Sequence, residues 1–486
     1  MSLQLADSHF GLNPSRAISL NTCTPRADAK YVLVWLQQAL RGAANPVIEY
    51  ALAHANACGL PVLVYHGIRE DYPHASTRLH MFLLQASRRL AQQCRLRGLR
   101  VVHYVQRPGH QERGLVYRLA DDAAAVYTDE QFSFVGSWQA RRLAESNISP
   151  VFAVDASRLV PTRCMPEGLL STREFRAAHA ALRAEWSLQA PDIAPCTGPY
   201  QGVLPLGLDA LEHADDAALA QMAAACQIDH SLPASVQHPA TSHALNARLE
   251  ALPRVAQRYA YTRNNPALAE GTSGLSPYLH FGLVSPQEVL GAVQQENKSA
   301  IWKFLDELLT WREFAHYRAR LNPDLHRYTS LPEDLRDDLQ AHADDDRGEL
   351  PSWEQLVHGE TPDAVWNAAQ RQWLATGWMH NNLRMVWSTQ LLRMTAHPSI
   401  AWALGCYLND RLSLDGRDPA TYASLRWAFG EGARASKRLI YGRAPRKSYN
   451  ALMRREGVKA WIEQANRVDV PRIDCSRLPA ALAQYQ

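Results

Sequence analysis

Short β-branched and aromatic runs separated by amphipathic stretches dominate the first 160 residues and set the fold class of this part of the chain. The runs are Tyr31–Leu36, Pro61–Tyr65, Leu99–Tyr104, Ala124–Thr128 and Pro150–Val154. Between the second and third, Leu79, Phe82, Leu83, Ala86, Leu90 and Cys94 recur at helical spacing across Arg78–Arg97. Strands of about five apolar residues alternating with helices predict βαβ units and a buried parallel sheet. Ligands of such sheets sit beyond the carboxyl ends of the strands. Neither GxGxxG nor a P-loop follows the first strand, so the usual phosphate loops are absent.

Residues 187–245 change character, being rich in Pro, Ala, Asp and His with weak periodicity. They read as a long connection with one or two short helices. From about 246 onward the pattern is helical, and ten of the 13 Trp lie between 302 and 461. That density demands large aromatic clusters or a flat cofactor. Glu333–Glu349 holds eight acidic and two basic residues and reads as a solvated loop, whereas Asp415–Arg472 holds 13 basic and six acidic ones. A basic tail beside an aromatic helical body is the footprint of a phosphate-backbone contact or simply a solvated face. The overall net charge of +3 decides nothing about partners. No window reaches the roughly 18 unbroken apolar residues of a membrane span, and the first residues lack a secretion signal. Eight scattered Cys without a CxxC pair fit reduced thiols and argue against a zinc site or disulfide framework. A cytoplasmic protein is expected.

Three segments carry more specific information: GTSGLSPYLHFG at Gly271–Gly282, FLDELLTWREF at Phe304–Phe314, and Trp366–Trp427 with WNAAQRQWLATGWMHNNLRMVW and LNDRLSLDGRDPATYASLRW. They resemble the signature blocks of the photolyase/cryptochrome family. ELLTWREF, WNAAQRQ and LNDR–LDGRDP are most similar to the class II cyclobutane pyrimidine dimer photolyases, while TGWMHNNLRM is closer to class I. The resemblance implies a fold of α/β plus all-α class. A Rossmann-like antenna domain with a parallel sheet would occupy 1–165, a linker 166–245, and an all-helical domain binding folded FAD 246–486. A second antenna chromophore, a deazaflavin or a folate, is a further expectation that residues 1–160 do not identify.

By the same resemblance, Thr272, Ser273, Gly274, Leu275, Ser276 and Arg312 belong to the cofactor site. TSGLS precedes Pro277, so it reads as a helix entrance able to hold a diphosphate. Arg384 and Asp415 correspond to an ion pair beside the isoalloxazine ring, and Asn409 to the position facing flavin N5. Glu307, Trp311, Asn381, Met385 and Trp427 map onto the pocket for the damaged bases. Two Trp can sandwich flipped-out pyrimidines, Met385 offers a polarizable floor, and Glu307 suits either hydrogen bonding to thymine carbonyls if protonated or proton sharing. Six-four photolyases carry His where this chain has Asn381.

Trp366 and Trp387 match the inner members of a light-driven electron-transfer chain. Met394 replaces the distal Trp, which leaves Trp373, Trp378 or Trp402 as substitutes. A second departure follows Trp427, where a His-Asp pair is lost; Arg434, Lys437, Arg438, Arg443, Arg446 and Lys447 remain as candidate DNA contacts. The implied activity is light-driven electron transfer from reduced FAD to cyclobutane pyrimidine dimers in UV-damaged DNA, by a monomer without metal. The alternative is a cryptochrome-like photoreceptor that repairs nothing, motivated by the two departures. A light-independent flavin or nucleotide binder is a third class.

Overall fold

The computed structural model describes residues 12–146, 148–434, 436–445 and 449–486. Contacts divide them into two compact units. The first runs through Ile228 and includes Pro239–Leu249 and Leu275–Gln294; the second holds Asp229–His238, Glu250–Gly274 and Gln295–Gln486. The boundary is therefore crossed several times, where the sequence reading expects one linker. The reason lies in the apolar residues of the 275–294 excursion. Tyr278 and Phe281 pack on Phe82 within the first unit, with ring centroids 5.9 and 5.2 Å away.

The first unit is built on a sheet of β1 (Ala17–Ser19), β2 (Tyr31–Leu36), β3 (Val62–Ile68), β4 (Arg100–Val105), β5 (Ala123–Asp129) and β6 (Val151–Val154). Its order is β1-β6-β5-β2-β3-β4, parallel except for β1, which pairs antiparallel with β6. The five expected strands are present within a few residues. β1 escapes the sequence reading because a three-residue edge strand has no periodicity to detect. Helices α1 (Pro46–Cys58), α2 (Thr77–Leu96), α3 (Leu115–Asp121), α4 (Phe134–Ser146), α5 (Thr172–Trp186) and α6 (Asp216–Ala224) complete most of this unit. Strands β2, β5 and β6 are buried throughout, as a sheet covered on both faces requires. At the carboxyl ends of β2 and β5, where the strand order reverses, Asp129 accepts the backbone N–H groups of Gln37 (2.6 Å) and Gln38 (2.9 Å). The chain's own carboxylate thus takes the donors that a phosphate loop would offer.

Helix α7 (Ser242–Thr262) spans the boundary between the units, and α8 (Ser276–His280) and α9 (Pro286–Ala292) belong to the first. The second unit holds α10 (Lys298–Asp306), α11 (Glu313–Leu321), α12 (Glu333–Gln340), α13 (Trp353–His358), α14 (Ala364–Thr376), α15 (Asn381–Met394) and α16 (Pro398–Leu412). It ends with α17 (Pro419–Ala428), α18 (Tyr449–Met453), α19 (Val458–Arg467), α20 (Leu478–Leu482) and a 3-10 turn, Ala483–Tyr485. Pro at the first turn and a preceding Asp or His cap start α16 and α17, so both begin where local chemistry dictates. Among the described residues no helix is long and apolar enough to cross a membrane.

Inside the first unit His66 of β3 and His103 of β4 lie side by side in register, with His66 Nδ1 2.8 Å from Ser87 Oγ. Burial pushes both imidazoles down, His66 to about 3 and His103 to about 4. Folded, each ring stays neutral; unfolded, each takes a proton below its ordinary value of 6.5. Their contribution to stability is therefore complete above that value and is lost as the pH falls toward 4, by about 1.4 kcal/mol per pH unit per ring. Thermal melts from pH 7.5 to 4.5 are expected to fall steadily, with a flatter slope in His103→Met. An unchanged slope in that variant would refute the assignment.

Candidate functional site

The second unit carries a break in helical register at the ELLTWREF motif. Glu307–Arg312 forms a π-helical segment between α10 and α11. Such wide turns change the face that successive side chains present and recur at functional sites. Neither Gly nor Pro marks it, so nothing local announces it in the sequence. Here Trp311 is 38% exposed while the next residue, Arg312, is buried, with Nη1 3.3 Å from Glu313 Oε1. Glu307 Oε1 accepts from both Arg263 and Lys303, the latter at 2.8 Å. Occupied by two cationic donors, the carboxylate acts as an acceptor. Arg263 and Lys303 were not read as site residues; the i, i+4 spacing of Lys303 and Glu307 was the available signal.

Helix α17 packs against the π segment, α11 and α15. The Ser424 hydroxyl donates to Asn381 Oδ1 at 3.2 Å, linking α17 to the exposed first residue of α15. Met385 and Trp427 are half-buried on the same two helices. The five residues expected in the base pocket thus lie on α17 and on two elements packed against it, the π segment and α15, at exposed or partly exposed positions.

Beneath them the polar groups are buried. Arg384 Nη2 donates to Asp415 Oδ1 at 2.9 Å and to Ser413 Oγ at 3.3 Å, and its guanidinium lies 5.6 Å from the Trp373 ring centre. Asn409 Nδ2 donates to Asp410 Oδ1 (3.1 Å) and Thr421 Oγ1 (3.0 Å). Asn409 Oδ1, Arg384 Nε and Trp387 Nε1 are buried with no hydrogen-bond partner among the described residues. Buried polar atoms are normally satisfied. They are one acceptor, one cationic donor and one neutral donor.

Trp366 stacks on Trp387, with centroids 5.4 Å apart and planes at 12°. Trp373 meets Trp387 edge-on at 5.2 Å. Trp373 was among the three substitutes considered for Met394; of the others, Trp378 stacks on His238, and Trp402 meets Phe429. Met394 itself is buried.

The TSGLS segment leads into a helix whose first turn contains Pro277. Helix α8 has five residues and starts at Ser276, without a side-chain cap. So short a helix carries little macrodipole, because few peptide dipoles align. Thr272, Ser273 and Gly274 fall in the second unit, Leu275 and Ser276 in the first.

The acidic stretch is helical in its first half and a loop only after Gln340. Glu333–Gln340 is helix α12, with Leu335 and Leu339 buried. Its carboxylates bind the segment after Trp427: Asp338 Oδ2 accepts the Arg443 N–H at 2.9 Å, Asp334 Oδ2 pairs with Arg443 Nη1 at 2.8 Å, and Asp345 Oδ2 accepts the Ile440 N–H at 2.6 Å. The Arg443 hydrogen bond holds the Asp334 carboxyl below its usual range. Glu431 fastens the other end through Arg318 (2.6 Å) and Arg426 (2.9 Å). Burial would raise the Glu431 carboxyl, but those two arginines outweigh it and hold it at about 2. Arg443 thus has its charge answered within the chain, and Arg438 spends donors on Ser436 Oγ and the Ala444 carbonyl. Arg434 and Lys437 are exposed, and Arg446 and Lys447 lie outside the described residues.

Residues 304–477 match the family model of the FAD binding domain of DNA photolyase. The chain is 29% identical over 454 residues to the deoxyribodipyrimidine photo-lyase of Methanothermobacter thermautotrophicus, covering 93% of this chain and 98% of that protein. Its fold is similar to that of a class III photolyase from Agrobacterium tumefaciens, with a TM-score of 0.63, 17% identity and coverage of 95% and 98%. A cryptochrome from Synechocystis aligns with a TM-score of 0.64 and 18% identity over 94% of this chain and 99% of that one. With its parallel sheet, its helical second unit and its signature blocks, the chain belongs to the photolyase/cryptochrome family.

Proposed function

We propose that this protein binds FAD and uses light to split cyclobutane pyrimidine dimers in UV-damaged DNA. The observation that carries the reading is the layout of α15. One turn of this helix, which packs on the helix carrying Trp427, presents Asn381 at an exposed and Met385 at a partly exposed position, while Arg384 on the same turn is buried against Asp415. Substrate and cofactor would meet across a single helix. ELLTWREF, WNAAQRQ and LNDR–LDGRDP support the class II type.

The buried leftover atoms fit a flavin. Arg384 and Asp415 would flank the ring, Asn409 would offer its oxygen, and Arg312 with Thr272–Ser276 would serve the rest of the cofactor. When bound and reduced, FAD supplies the photoexcited electron that opens the cyclobutane ring and receives it back. The chain's residues orient and exclude water. Trp311 and Trp427 would stack on the flipped pyrimidines, and Glu307, tethered by Arg263 and Lys303, would accept from a base edge. Asn381 would donate or accept beside it. Arg434 and Lys437, with Arg438, Arg446 and Lys447, would steer the phosphate backbone.

Repair of a thymine-dimer oligonucleotide by chemically reduced holoprotein tests this reading. Thymine is expected to return in blue light and not in darkness; no repair by protein carrying reduced flavin would sink it. The replacement of a distal Trp by Met394 favours a photoreceptor as the second reading, and that same negative result would select it. In the same assay Trp311→Ala should weaken binding to lesion-bearing DNA roughly 5- to 150-fold, the worth of one stacked base. Trp387→Phe should slow light-driven flavin reduction while repair by chemically reduced protein persists. Urea unfolding tests the ion pair. Arg384→Met strands the Asp415 carboxylate and should lower stability by about 3–5 kcal/mol, with much of the loss recovered in Arg384→Met/Asp415→Asn.

A further inference from the structure

Asp410 follows Asn409 on α16 and is 1% exposed. Its carboxylate gathers four donors from separate parts of the second unit. The Tyr422 hydroxyl reaches both oxygens at 2.7 Å, and the Tyr485 hydroxyl reaches Oδ2 at 2.9 Å. The Arg417 N–H donates at 3.3 Å from a turn residue with φ of 65°, and Asn409 Nδ2 donates at 3.1 Å. Burial pushes the carboxyl up, and these contacts oppose it.

The orientation of Asn409 follows. Thr421 Oγ1 spends its proton on the Asp418 carbonyl at 2.8 Å, so toward Asn409 it can only accept. Both acceptors facing the amide, Asp410 Oδ1 and Thr421 Oγ1, therefore demand its nitrogen. A flipped amide would set its oxygen against a carboxylate and a hydroxyl lone pair. The remaining atom, Oδ1, is the buried acceptor without a partner among the described residues.

We infer that Asp410, held by Tyr422 and by Tyr485 near the end of the chain, is a positioning residue that locks the Asn409 amide with its oxygen toward the flavin. This rests on the reading above in which Asn409 faces flavin N5. An acceptor there favours the reduced flavin, which carries a proton on N5, over the oxidised one, which does not. The last residues of the chain thereby set the redox poise of a buried cofactor without touching it.

Spectroelectrochemical titration of flavin-bound holoprotein tests the inference. Asn409→Ala and Asp410→Asn should each lower the midpoint potential, shifting the reduced-to-oxidised ratio at fixed potential by roughly five- to tenfold, the worth of one hydrogen bond. Tyr485→Phe should shift it the same way by less. Because Asp410 acts through Asn409, Asp410→Asn should add nothing in the Asn409→Ala background. If Asn409→Ala lowers the potential while Asp410→Asn and Tyr485→Phe match the wild type, the positioning role is wrong and the flavin-facing reading stands. If Asn409→Ala itself leaves the potential unchanged with flavin bound, that reading fails and takes the inference with it. Additive shifts would also overturn it. Should Asp410→Asn fail to fold, Tyr485→Phe decides: wild-type potential there rejects the inference.

Discussion

A guanidinium and a carboxylate buried together must find each other or the fold does not form, and Arg384 with Asp415 is the pair on which the helical unit turns. The pair ties the first turn of α15 to the turn after α16. Taking two charges out of water costs several kcal/mol each, and a single contact rarely repays it. The surroundings offset the cost: Ser413 adds a hydrogen bond, and the Trp373 face lies under the cation. Trp373 in turn anchors its own indole N–H on the same Ser413 hydroxyl at 2.7 Å and meets Trp387 edge-on. Charge, hydroxyl and aromatic cluster are thus one packing unit. A hydrophobic replacement of similar volume would be as stable, so the pair earns its place through what it presents to a ligand.

Two charge systems of opposite purpose sit in the same unit. The first is inward: Arg384, Asp415, Asn409 and Asp410 hold a fixed polar arrangement where water has been removed. The second is a clasp near the surface, in which Asp334, Asp338, Asp345 and Glu431 hold the segment from Gly430 to Arg443. In composition the acidic and basic stretches look like two independent solvated faces. In space the acidic side is consumed in shaping the basic one, which leaves Arg434 and Lys437 exposed and Arg443 neutralised. Phosphate affinity counts the cations still free to displace counterions, so the 13 basic residues of Asp415–Arg472 overstate that number.

What could be read in the sequence follows how local each signal is. The strands from Tyr31 to Val154 were legible because a buried parallel strand is apolar along its whole length. That Trp366 and Trp387 stack, 21 positions apart, is visible only in the folded chain. The acidic helix Glu333–Gln340 was misread because net charge hid the Leu335 and Leu339 pair, four residues apart, that marks an amphipathic helix. Other features are not local at all. Arg263 is 44 positions from Glu307, and Tyr485 is 75 from Asp410, so only the folded chain reveals either bond. Nor does any residue type announce the π segment, which packs with α11 against α17, a helix more than a hundred positions away.

The departures from the family pattern fall outside the region where pocket and cofactor would meet. Met394 lies two turns beyond Trp387 on α15, and the altered segment begins after Trp427. A cofactor and a flipped base need fixed atoms at fixed places, and a change there would cost geometry that nothing else can restore. An electron route and a phosphate-facing surface are different. Electrons leave by whichever oxidisable ring is near, and phosphate charge is met by any cation within a Debye length. Sequence drift at the route and at the surface is therefore what physics permits, while the Trp366–Trp387–Trp373 contact keeps aromatic continuity inside.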